Sequence, residues 1–230
     1  VITDILSLND SVGIELDSSS YNTLINNSAL NNIYGIYLTW YSDRNTLTNN
    51  TISSSSNDGI YLRYSSNNAL TKNIASNNNC GVYLEYSSNN NYLVGNTLDS
   101  NGSGISVNGS NHNRIYLNNF MNNANNVYSC GSGNTWNSPT QLTYKYNDSE
   151  YANYLGNYWS DYSGADVNND GIGETTYGID NVNLDADYYP LTQSFENYVL
   201  PPSTTEAIMN EITSSTHVLF ENIISENATL

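Results

Sequence analysis

The chain has 230 residues, only 12% of them charged, yet 22 Asp and Glu against 5 Lys and Arg leave a net charge of −17. So few cations cannot neutralise a phosphate backbone, which sets nucleic acid and anionic lipid surfaces aside. No stretch reaches about 18 apolar residues, so no segment is expected to span a membrane, and the 21 Tyr with regularly spaced Ile, Leu and Val distinguish the chain from a disordered Asn/Ser-rich one.

The N-terminal Val1-Ile2-Thr3-Asp4 carries neither the basic nor the apolar region of a signal peptide. It reads as the middle of a repeat, and the chain is expected to be an excised piece of a longer precursor. From there three ladders run in step. Gly-apolar-x-apolar recurs at Gly13, Gly35, Gly59, Gly81 and Gly104, spaced by 22, 24, 22 and 23 residues. Asn-x-Leu/Ile recurs at Asn22, Asn45, Asn68, Asn91 and Asn113, and a further Asn ladder at Asn27, Asn50, Asn73, Asn96 and Asn118. Asp4 and Leu6 fit one period earlier. Each repeat therefore holds three short alternating runs between Asn/Ser/Gly corners, and alternation at period 2 means strand. Such a unit closes into one turn of a triangular solenoid whose turns stack about 4.8 Å apart. The expected fold is all-β: a right-handed parallel β-helix over residues 1–130. Stacked Asn amides bond along the helix axis, and Asn also tolerates left-handed corners.

In the Gly-Ile-Tyr-Leu strand the outward column reads Glu15, Tyr37, Tyr61, Tyr83, Ser106, and a second aromatic column reads Trp40, Tyr64, Tyr86. Arg63 and Glu85 occupy one place on adjacent coils and are expected to pair. An aromatic ribbon flanked by hydroxyls suits sugars, whose C–H faces stack on rings; the alternative is aromatic pairing that only stabilises the sheet. The candidate carbohydrate-binding set is Tyr37, Trp40, Tyr61, Arg63, Tyr64, Tyr83, Glu85 and Tyr86. Glu15 and Asp17, on one face of a strand roughly 7 Å apart, are the best carboxyl pair in the coils for a glycoside hydrolase, and otherwise simple surface charge.

Residues 131–200 form an irregular Asn/Asp/Tyr-rich segment that abandons the period and is expected to pack on the coils. Within it Asp166, Asn168 and Asp170 stand at positions 1, 3 and 5 of D-x-N-x-D-G, with the Ile172 carbonyl at position 7. That spacing matches an EF-hand-type loop for Ca2+. Position 12 is Tyr177 rather than Glu, so Glu174 or one of Asp180, Asp185 and Asp187 would have to complete the shell. Pro201-Pro202 opens a C-terminal extension, residues 201–230, in which Ile208, Ile212, Ser215, Leu219 and Ile223 fall at helical spacing and suggest an amphipathic helix over residues 204–224.

The Asn-rich coils, followed by Leu155-Gly-Asn-Tyr-Trp-Ser-Asp-Tyr162 and by Asp187-Tyr-Tyr-Pro-Leu191, resemble the NosD-like β-helix family of cell-surface proteins of methanogenic archaea, over residues 1–198. The resemblance implies a parallel β-helix, extracytoplasmic placement and often a carbohydrate-related role. The family name is tied to copper delivery, but copper wants clustered soft donors, and His112, His217, Met121, Met209, Cys80 and Cys130 are scattered in this sequence. Cys80 and Cys130 lie about two coils apart, so a disulfide requires the chain after Asn126 to fold back. The leading expectation is a non-catalytic extracellular surface module, structural or carbohydrate-binding, that meets envelope polysaccharide or other surface proteins and is able to assemble end to end through open strand edges. The alternatives are a polysaccharide lyase or glycoside hydrolase, and a copper delivery protein.

Overall fold

The computed structural model describes residues 1–130, 133–179 and 185–216. Alternation and corner residues produce the expected architecture: a parallel β-solenoid of about six turns, with three sheets along its length. Sheet A stacks six strands from Ile2–Thr3 to Arg114–Tyr116, and sheet C stacks six from Val12–Asp17 to Asn125–Ser129. Sheet B stacks seven, from Leu6–Leu8 through Asn119–Met121 to Tyr158–Trp159. Register is strict. Leu24, Leu47, Leu70, Leu93 and Ile115 align in one column, and Ile14, Ile36, Ile60, Val82 and Ile105 in another. All ten are buried and fill the interior.

The corners explain the composition. Asn45, Asn68, Asn91 and Asn113 each donate their backbone N–H to the side-chain oxygen of the Asn one coil on, at 2.8 to 2.9 Å. The ladder from Asn27 to Asn118 repeats this and ends on Asn157. A third column, not evident from spacing alone, links Ser55 to Asn78, Asn101 and Asn123. These amides satisfy buried backbone donors where strands turn and no ladder partner remains. The glycine column answers to close approach: a Cβ at Gly35 would meet the Gly59 carbonyl oxygen at 2.5 Å and Ile52 Cγ2 at 2.2 Å.

The segment after residue 130 does not simply leave the solenoid. Thr135 bridges Arg114 in parallel, and Tyr158–Trp159 pairs with Asn119–Phe120 as a further rung of sheet B. Trp136 and Trp159, both fully buried, end the interior column, Trp159 lying 4.2 Å from Phe120 between ring centres. The rest of the segment builds a second apolar cluster on the outer face of sheet A, joining Tyr92, Val94 and Tyr116 to the hairpin Leu142–Tyr146/Ser149–Asn153 and to Ile172, Leu191 and Tyr198. The C-terminal helix is described over Pro202–Thr216 and buries Ile208 and Ile212 in the same cluster. Its Glu211 pairs with Arg114 and accepts from the Tyr92 hydroxyl at 3.3 Å. The expected continuation through Leu219 and Ile223, together with His217 and Asp180, lies outside the described residues.

Candidate functional site

The first five of the six strands of sheet C each end in a left-handed corner. The five successive corner residues are Ser18, Trp40, Tyr64, Tyr86 and Gly109, with φ between 48° and 60°. A bulky residue there costs roughly 1–2 kcal/mol against Gly. Trp40, Tyr64 and Tyr86 nevertheless occupy three consecutive corners and stack on each other with ring centres 5.1 and 5.3 Å apart. Trp40 and Tyr86 remain 47% and 45% exposed. The outward tyrosines form a parallel stack: Tyr37 to Tyr61 at 4.8 Å and Tyr61 to Tyr83 at 5.2 Å, with Tyr34 against the first two. The ribbon expected from the sequence exists, but its geometry is particular. Inner rings spend their faces on each other and offer only edges outward. The tyrosine stack ends at Tyr83, on which no further ring stacks among the described residues.

Arg63 and Glu85 face each other in register but do not pair. Arg63 instead lies over the rings of Trp40, Tyr64 and Tyr86, its guanidinium carbon 5.2 to 5.5 Å from their centres. A bond to the Tyr37 hydroxyl further favours its charged form. Glu85 is taken by hydroxyls: Tyr83 donates at 2.9 Å and Tyr61 also donates. The guanidinium gains more over three stacked rings, and the carboxylate collects two O–H donors that an arginine would have displaced. Burial, then these contacts with Glu85, push the Tyr61 phenol up. The candidate set is thus brought together as one surface of two aromatic stacks joined by Arg63 and Glu85.

Sequence reasoning passed over Asp58. It opens the sheet C strand Asp58–Arg63, in the column that continues as Cys80, Ser103 and Asn125. It is 8% exposed, and burial, then the Glu85 charge, push its carboxyl up to about 7. Cys80 beside it is buried too, and its thiol is pushed up by burial first and Asp58 second.

Glu15 and Asp17 stand exposed on the outer face of the strand Val12–Asp17, where Ser18 donates to Asp17 at 3.0 Å. In the loop 166–174, Asp166 Oδ1 and Asn168 Oδ1 both accept from the Asp170 backbone N–H, at 3.0 and 3.1 Å, and Asp166 Oδ2 accepts from Gly171. Asp170 Oδ1 accepts from Ile172, and the Glu174 carboxylate crosses the loop to Val167 and Asn168. Cys80 and Cys130 are both free thiols, the first buried and the second exposed.

No individual curated protein matches the chain. The family described as periplasmic copper-binding protein (NosD) matches residues 1–164, which take in all the coils and the closing rung at Tyr158–Trp159. The chain belongs to the NosD family.

Proposed function

We propose that the chain is a non-catalytic extracellular surface module that binds carbohydrate, such as envelope polysaccharide, along the aromatic corner of sheet C. The observation that carries this reading is the placing of Trp40, Tyr64 and Tyr86 in left-handed corners while Trp40 and Tyr86 stay about half exposed. Two ring pairs contribute roughly 0.5–1.5 kcal/mol each. Three left-handed aromatics cost roughly 1–2 kcal/mol each against the Gly that the same corner accepts at Gly109. Stacking and the Arg63 contacts offset that cost, and what favours an amphipathic binding surface is that such strained corners carry rings left half exposed. No helix among the described residues is long and apolar enough to cross a membrane, and the periplasmic description of the family agrees with an extracytoplasmic setting.

Retention on a panel of immobilised neutral and acidic polysaccharides, with product analysis of the flow-through, tests the reading. Wild type is expected to be retained by at least one polymer without shortening it. The double variant Trp40→Gly/Tyr86→Gly is expected to lose retention while melting within a few degrees of wild type. Retention that survives the double change removes the ribbon as the site. Shortened or unsaturated products would instead make this a hydrolase or lyase.

Copper delivery asks for soft donors gathered in one sphere. Here Cys80 is buried and donates to the Val82 carbonyl, Cys130 is exposed beside Asn108, and Met121 stands on sheet B. No three His, Cys, Asp or Glu side chains converge among the described residues. These residues do not fit a copper centre. For the loop 166–174 we propose a calcium ion on the D-x-N-x-D-G spacing and on the meeting of the Asp166 and Asn168 oxygens at the Asp170 backbone N–H; its carboxylates are not gathered as a set of three among the described residues.

A further inference from the structure

The tyrosine stack on sheet C ends beside a cavity. Tyr83 stacks on Tyr61, but its register partner one coil on is Ser106, and among the described residues no second ring stacks on it. Tyr83 and Ser106 both line a groove of about 420 Å³ whose lining also includes Asp58, Cys80, Ser103 and Asn125. Asp58 is 8% exposed as a residue, and its carboxyl, which receives no hydrogen bond among the described residues, keeps its solvent contact where it lines the groove. Water alone serves such a carboxyl, and a ligand that brings hydroxyls can take the place of that water. The hydroxyls of Ser103 and Ser106 and the amide of Asn125 offer donors and acceptors around the same space.

We propose that this cavity is a subsite for one neutral pyranose, its apolar face against the Tyr83 ring and its hydroxyls donating to the Asp58 carboxyl. The inference rests on the carbohydrate reading given above and assigns a position within it. An aromatic platform with a carboxyl and an amide at its rim supplies both halves of what a sugar presents: a C–H face and a fan of hydroxyls. The Glu85 charge that already acts on Asp58 would repel a further carboxylate, so a uronic acid is disfavoured. A serine is what keeps the platform open, because Tyr at position 106 would continue the column Tyr37, Tyr61, Tyr83 and cover it.

The test uses the whole chain on an array of neutral and uronate oligosaccharides, followed by calorimetric titration of the neutral oligosaccharide bound most tightly. Ser106→Tyr, which repeats a side chain the column already carries on three coils, and Asp58→Ala are each expected to weaken binding at least tenfold, and melting curves verify that both fold. Neutral oligosaccharides bound equally by wild type and both variants would overturn the subsite and leave the aromatic corner as the binding surface. A preference for uronates would overturn the subsite as described. No binding to any oligosaccharide would overturn the subsite and the carbohydrate reading together.

Discussion

Asp187 shows how one buried residue ties the segment after residue 130 to the coils. It is fully buried, and its carboxyl accepts from the Asn157 backbone and side chain, from the Trp159 indole at 2.9 Å and from the Tyr189 backbone at 3.0 Å. Burial pushes its pKa up to about 7, against the downward pull of these four N–H donors. A carboxyl held above its unfolded value of 3.8 keeps a proton in the fold that the unfolded chain has lost. Its contribution to stability therefore falls as pH rises from about 4 to about 7 and is level above that. Asp187→Asn holds that position uncharged at every pH, its amide N–H facing the same donors that the retained proton of Asp187 faces at pH 5. Because Asn does not titrate, wild type should lose roughly 1–3 kcal/mol relative to the variant from pH 5 to pH 8 in urea unfolding. A gap that stays constant would mean Asp187 is ionised throughout.

At the level of elements, the coils were legible because three columns repeat one residue type at one spacing, and a one-residue slip would turn every Leu and Ile outward. The third amide column escaped notice because Ser55 interrupts its Asn run. Asp58 escaped for a related reason: its column reads Asp, Cys, Ser, Asn over four coils, and its burial comes from neighbouring coils rather than from its own pattern. The return of Tyr158–Trp159 to sheet B was hidden by distance. The coil step from Asn96 to Asn118 is 22 residues, but the next ladder partner, Asn157, lies 39 residues beyond Asn118. The Arg63–Glu85 pairing was read from register alone, whereas ring faces and phenol hydroxyls took the two groups separately. The loop 166–174 gives this scale its own prediction. Calcium at a hundred times its Kd adds about 2.7 kcal/mol, or about 5–10 °C in a chain of this size. Melting with calcium and with chelator should differ by that amount in wild type and not in Asp166→Ala. Equal melting of wild type in both conditions would show that the loop is held by its N–H donors alone.

Across the whole molecule the solenoid is close to one-dimensional, each coil touching only its neighbours, so stability depends on how the column of apolar side chains is closed. At the C-terminal side that closure is aromatic. Trp159 lies between Phe120 at 4.2 Å and Tyr177 at 4.3 Å, with Trp136 tilted beside it at 6.0 Å. The indole N–H fixes Asp187, so the same side chain closes the interior and anchors the polypeptide that wraps it. Trp159→Ala is expected to cost about 3–5 kcal/mol and to loosen the rung over Asn119–Phe120. The backbone edge thereby released is a template for another chain. Light scattering should then show concentration-dependent association of the alanine variant below its melting temperature, absent in wild type at the same concentration. Trp159→Phe separates the two roles, since it keeps a ring on Phe120 and removes only the N–H to Asp187. It should lose stability without associating. An alanine variant as monodisperse as wild type would locate the closure elsewhere, in Trp136 and the cluster on sheet A.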